Sequence, residues 1–167
     1  MTVVVDANAL VALMVGEPEG PVVAERVEQW LADDREIHAP ALARYEVANV
    51  LTRQLATGLL SREDMKTGWQ ALEELPIIYH ALLDGPAVID AATKLRRRSA
   101  FDAACLALAL SLDAELWTLD GPLARNAIGQ KLPVRLFDSR DAAEEIAATT
   151  DTPTDEPSGE ERSPPSA

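Results

Sequence analysis

Cysteine is almost absent from this chain. The single one, Cys105, lies inside an apolar helical run, which excludes a disulfide framework and a cysteine-type zinc site and leaves a buried structural thiol as its expected role. Histidine is nearly as scarce: His38 and His80 have no His-Glu-x-x-His or serine-triad setting, so both read as structural. Aromatic residues are few, and Trp30 and Trp69 are expected in the core or at an interface rather than as base-stacking platforms. Basic residues are in deficit, 15 Lys and Arg against 28 Asp and Glu, and the net charge of −13 argues against a protein that lives on long nucleic acid through phosphate contacts. A small nucleic-acid site whose own acids are neutralised by bound cations stays compatible with that balance. Long apolar runs are missing too. The longest, Ala103 to Leu112, is too short to span a bilayer. The N-terminal stretch lacks a basic start and is interrupted by Asp6, so no signal peptide is expected, and the chain reads as cytoplasmic with no membrane association. Gly16 to Gly20 contains no lysine and cannot be a phosphate-binding P-loop.

At 167 residues the chain is one domain's worth. Thr149 to Ala167 holds five acids, one arginine and no large apolar side chain, so it cannot offset the entropy of ordering and reads as a disordered acidic, proline-rich tail behind a domain at 1–148. Within the domain, elements alternate. Val3, Val4 and Val5 read as a buried strand and lead directly into a helical pattern at Ala9, Leu10, Leu13 and Met14. Gly20 and Pro21 open a second helix with Val23, Val27, Trp30 and Leu31 on its apolar face. Ile37 to Ala39 is a short strand. The helix from Leu42 to about Ala56 turns Leu42, Val47, Val50, Leu51 and Leu55 inward and stops at Gly58, with Glu46, Asn49 and Arg53 together on its other face. Ser61 with Asp64 resembles a capping box and starts a helix carrying Met65, Trp69, Leu72 and Leu75.

A strand at Ile77 to Tyr79, a helix from Pro86 to about Arg97, a highly apolar helix from Ser99 to Leu112, a strand from Glu115 to Leu119, a short helix and a last strand from Val134 to Phe137 complete the chain. Strands alternating with helices on short links imply an α/β fold, a parallel sheet covered on both faces.

The acids can then be placed on these elements. Asp6 ends the first strand and Asp120 ends the fourth, so both reach the carboxyl edge where open α/β sheets bind ligands. Thr118, two residues before Asp120, points the same way. Asp102 opens the most apolar helix, and Glu46 lies one turn into its own. Each acid has a simple local reading: Asp6 caps a helix, Asp102 shares a capping box with Ser99, Asp120 begins a type I turn, Glu46 is a solvated helix charge. Together they say more. Carboxylates that converge on one edge repel each other unless a divalent ion lies between them, and all-oxygen ligands select Mg²⁺ or Mn²⁺ over zinc. Carboxylate-held ions of this kind are a recurring way to cut phosphodiesters.

Val-Val-Val-Asp6-Ala-Asn8-Ala-Leu, Tyr-Glu46-Val-Ala-Asn-Val-Leu, Ser99-Ala-Phe-Asp102-Ala-Ala-Cys and Leu-Trp-Thr118-Leu-Asp120-Gly-Pro-Leu resemble, in order and spacing, the four acidic motifs of PIN-domain ribonucleases, most nearly the VapC toxins of type II toxin–antitoxin pairs. The resemblance covers about Thr2 to Phe137. It implies a PIN-like three-layer α/β/α sandwich with a five-stranded parallel sheet, Mg²⁺- or Mn²⁺-dependent endoribonuclease activity, a homodimer and inhibition by a VapB-type antitoxin. Carried over residue by residue, Asp6, Glu46, Asp102 and Asp120 are the metal-binding catalytic acids, with Asn8 and Thr118 in support. Asn8 stands where serine or threonine is common in the family, and Phe101 where tyrosine is frequent, so one hydroxyl contact is expected to be missing. Family members of this kind commonly act on tRNA or other translation-related RNA.

Arg96, Arg97 and Arg98 precede the Asp102 motif and are candidate contacts to RNA phosphates, though a helix C-terminus also favours cations. The helices at Leu42 to Ala56 and Ser61 to Leu75 are the expected antitoxin-binding region. Two alternatives are a haloacid-dehalogenase-type phosphatase, which needs an aspartate where Asn8 stands, and a non-catalytic PIN-like module that binds RNA or protein.

Overall fold

The computed structural model describes residues 2–81, 84–96 and 99–138. Its centre is β1 (Thr2–Val5), whose three valines are buried on alternating faces: Val3 and Val5 enter one apolar cluster and Val4 the other. Each such burial contributes about 1.5–3 kcal/mol, so a strand this short is held by its side chains and by ladders on both edges. On one edge lies β2 (Glu36–Pro40), followed by β3 (Ile77–His80); on the other lies β4 (Glu115–Thr118), followed by β5 (Val134–Leu136). All four ladders are parallel, and the strand order is β3-β2-β1-β4-β5. The order reverses between β1 and β4, so their carboxyl ends flank the crevice where such sheets bind ligands.

Helices cover both faces, as a sheet of buried parallel strands requires. One layer holds α1 (Ala7–Val15), α2 (Gly20–Ala32), α3 (Leu42–Thr57) and α4 (Arg62–Glu74), packed on Val3, Val5, Ile37 and Trp117. The other holds α5 (Gly85–Lys94), α6 (Phe101–Ser111) and α7 (Gly121–Gly129), packed on Val4, Leu116 and Val134. This is the three-layer sandwich with a five-stranded parallel sheet expected from the sequence. α2 and α4 approach α1 at two glycines. A Cβ on Gly20 would sit 2.7 Å from the Ala12 carbonyl oxygen, and one on Gly68 would sit 2.9 Å from that of Met14. Trp30 is fully buried, with its ring centroid 5.3 Å from Trp117 and 5.9 Å from Phe137. Trp69 is partly buried on the same layer, with the Arg44 guanidinium 5.5 Å from its ring. Among the described residues no helix is long and apolar enough to cross a membrane.

Several boundaries differ from expectation. The fifth helix ends at Lys94 rather than near Arg97, because Arg96 takes a left-handed conformation at φ 51°. The sixth begins at Phe101. Ser99 accepts from the Phe101 N–H at 3.2 Å instead of forming a capping box with Asp102, and Ala100 is the N-cap. The Ser61–Asp64 capping contact does form: the Ser61 hydroxyl accepts from the Asp64 N–H at 3.0 Å and donates to its carboxylate at 2.6 Å. Leu31, expected inside, is 39% exposed. Arg97, Arg98 and the tail at 149–167 lie outside the described residues.

Candidate active site

Asp6 stands where β1 ends. Its N–H still donates to the Trp117 carbonyl across the β1–β4 ladder, and its side chain already caps α1, accepting from the Ala9 N–H at 3.0 Å. Thr118, fully buried at the end of β4, donates its hydroxyl to the other oxygen of the same carboxylate. The Thr118 hydroxyl in turn accepts from the Asp120 N–H at 2.9 Å, and the Asp120 carboxylate caps α7 by accepting from the Leu123 N–H at 2.8 Å. The two strand ends at the switch point are thus tied together through one threonine hydroxyl. The capping role and the acid-pocket role of Asp6 are compatible, since each carboxylate oxygen retains a second lone pair.

Facing Asp6 is a cleft of about 270 Å³, lined among others by Asn8, Glu46, Asn49, Arg53, Phe101 and Asp102. α3 brings Glu46 to it and α6 brings Asp102, half-buried rather than deep in the core. Asp120 is not among the lining residues, but its charge is felt at Asp6. Burial chiefly, with the Asp102 and Asp120 charges adding to it, pushes the Asp6 carboxyl up to about 6, against the opposing hydrogen bonds from Thr118 and Ala9. Glu46 is also raised, by burial first and then by Asp102 and Asp6. Cys105 lies three residues after Asp102, one helical turn on, and lines the same cleft; burial and the charges of Asp6, Glu46 and Asp102 hold its thiol well above the usual range.

Asp6, Glu46 and Asp102 are therefore brought to one cleft, with Asn8 at its edge and Thr118 beneath. Arg96 is exposed beyond the end of α5 and does not line it. Among the described residues the cation that does is Arg53, seven residues after Glu46 on α3. Sequence reading put Glu46, Asn49 and Arg53 on one helix face without giving the last two a role, and it treated Cys105 only as a core residue. The signal for both was helical spacing from an acid, i+3 or i+7. His38 and His80 are not in the cleft: their rings stack at 5.0 Å between centroids, with Nδ1 of the first 2.7 Å from Nε2 of the second.

A PIN domain family model matches residues 3–129, which span all four acids. The chain belongs to the PIN-domain family. This PIN domain is 38% identical over 129 residues to Ribonuclease VapC3 of Pyrobaculum aerophilum, covering 74% of this chain and 93% of that protein. Its fold is similar to that of PAE2754 from the same organism, with a TM-score of 0.63 at 20% identity over 89% of this chain and 90% of the other. It is also similar to a chain of VapBC2 from Rickettsia felis bound to a DNA fragment from their promoter, with a TM-score of 0.57 at 14% identity over 83% and 100% of the two chains. The expected resemblance to PIN-domain proteins of the VapC type is borne out, and the haloacid-dehalogenase alternative falls with it.

Proposed function

We propose that this PIN domain is an endoribonuclease dependent on Mg²⁺ or Mn²⁺, the toxin of a VapBC-type toxin–antitoxin pair, hydrolysing phosphodiester bonds in tRNA or other translation-related RNA. The observation that carries the reading is the cleft shared by Asp6, Glu46 and Asp102, in which two of the three carboxyls are raised by burial and by one another. The similarity to a protein named as a ribonuclease supports it.

The donor set fits a hard divalent ion in charge and in kind. Among the described residues no three His, Cys, Asp or Glu side chains are gathered closely enough to hold an ion by themselves. Mg²⁺ keeps several waters and is bound by one or two carboxylates together with substrate phosphate. When bound, such an ion activates a water and neutralises charge developing at the phosphate. Asp6 and Asp102 would hold the principal ion, while Glu46, with Asp120 behind Asp6, would orient a water or help to receive a second ion with the substrate. Thr118 fixes the Asp6 carboxylate in one rotamer, and Asn8 offers an amide at the rim.

Asp102→Asn and Glu46→Gln should each lower cleavage of bulk tRNA at least about 100-fold, and Glu46→Gln should leave the melting temperature at or above that of the parent, because it removes a buried, repelled charge. Full activity in either variant would remove that residue from the acid set.

Two partners complete the reading. The antitoxin docks on α3, α4 and the link between them, where Tyr45 of α3 is 72% and Leu59 of the link is 82% exposed. The second partner is another copy of the chain, forming a homodimer. An antitoxin that still bound after Tyr45 and Leu59 were made polar would overturn the first placement.

A further inference from the structure

The active-site cleft belongs to a chain with a net charge of −13, and three of its lining side chains are carboxylates. A polyanion entering it needs a local cation, and Arg96, the described one of the three arginines expected to meet RNA phosphates, does not line the cleft. Arg53 does. It lies on the exposed side of α3, two helical turns beyond Glu46, so the two α-carbons are about 10 Å apart along the helix axis. Asn49 lies between them on the same face and lines the same cleft. Among the described residues no carboxylate pairs with Arg53, in contrast to Arg44, which is held by Glu73 at 3.0 Å, and Arg135, held by Glu115 at 2.9 Å. A guanidinium that borders an acid-lined cleft and is not neutralised by those acids is available to an external anion.

We propose that Arg53 grips a phosphate of the RNA backbone flanking the scissile one, and so sets the strand's path across the cleft from Glu46 toward the C-terminal end of α3. The proposal rests on the ribonuclease reading and adds a substrate-binding residue to it. With its α-carbon about 10 Å along the helix axis from that of Glu46, Arg53 is assigned to a neighbouring phosphate rather than to the one being cut. Arginine suits the task because its planar fork matches two phosphate oxygens at once, which a point charge cannot do. One such contact also releases condensed counterions, which gives it a signature in salt dependence that a structural residue lacks.

The test uses the full-length chain and bulk tRNA with Mn²⁺, comparing the parent with Arg53→Gln and Arg53→Lys over a range of salt concentrations. Arg53→Gln should raise KM about 10-fold or more with kcat little changed, and should lower the slope of log(kcat/KM) against log[salt] by about 0.7–0.9, one phosphate's worth. Arg53→Lys should restore the salt slope and only part of the KM, since it keeps the charge and loses the fork. Unchanged KM and slope in Arg53→Gln, with an active parent, would overturn this proposal alone. A lower melting temperature with activity lost and no recovery in Arg53→Lys would make Arg53 structural and overturn it equally. A parent chain that cuts no RNA with either ion would instead sink the ribonuclease reading, and Arg53's role with it.

Discussion

Replacing Asp6 by asparagine should stabilise the metal-free protein. The Asp6 carboxyl is raised from 3.8 to about 6 in the folded state, chiefly by burial, so the folded chain holds this proton more tightly than the unfolded one. The stabilising contribution of the protonated carboxyl is therefore complete below about pH 3.8 and is lost as pH rises through about 6. A shift of that size corresponds to about 3 kcal/mol of cost at neutral pH. Asparagine removes the charge and caps a helix as well as aspartate does, so the bond from the Ala9 N–H survives. The bond donated by Thr118 is the casualty, because the Thr118 oxygen must then serve an amide donor while its own proton finds another acceptor; about 1 kcal/mol is forfeited there. The net gain is about 2 kcal/mol, or about 4–8 °C in melting temperature for a domain of this size. The assay is thermal melting of both chains in chelator between pH 3.5 and 8. The gap should be largest above pH 6 and close on acidification, and Mn²⁺ should then raise the parent's melting temperature but not the variant's. A variant less stable than the parent at pH 7.5, or a gap independent of pH, would refute the electrostatic account of Asp6.

Other consequences can be checked separately. Gly20→Ala and Gly68→Ala each place a methyl against a carbonyl oxygen of α1, at 2.7 and 2.9 Å, and should cost about 1–3 kcal/mol in urea unfolding despite alanine's better helix propensity. Cys105 should resist a thiol reagent at pH 8 in the native protein and react fully on unfolding, since burial and three carboxylates oppose its thiolate. Thr118→Val, which keeps the buried shape and deletes the hydroxyl, should cost about 1–3 kcal/mol of stability and reduce activity at constant KM, because it frees the Asp6 carboxylate and leaves the Asp120 N–H without its acceptor.

Much of this site was readable from local sequence. The valines of β1 have no alternative to burial, and α6 buries Ala103, Cys105, Leu106 and Ala109, so the acids beside them lie close to the core, although α6 is not central as its all-round apolar sequence suggests: Leu110 is 43% exposed. Asp6 and Asp120 share an edge because parallel strands all end on the same side. Strand order was not legible, because it depends on contacts between residues far apart in sequence, and with it went the fact that β1 and β4 are neighbours joined by the Thr118 hydroxyl. The C-terminal end of α5 differs from expectation because Arg96 adopts a positive φ, which nothing in its side chain announces, and α6 starts later because Ser99 accepts from the Phe101 N–H and leaves Ala100 as the N-cap. Arg53 was visible as a helix-face charge, but whether such a face meets solvent or a cleft is decided by a neighbouring element, here α6 with Asp102 and Phe101. Likewise, the indole rings of Trp30 and Trp117 meet although they lie 87 positions apart, close to Phe137, and no local pattern marks that cluster.

The account's central claim is that these carboxylates form a divalent-ion site for cutting RNA. The most direct test is cleavage of total cellular RNA by the purified, antitoxin-free chain with Mg²⁺, with Mn²⁺ and with chelator, beside Asp6→Asn. Cleavage that needs the ion and is lost in the variant is the result expected. A folded parent that leaves RNA intact under every condition, or cuts it equally well in chelator, would contradict the claim.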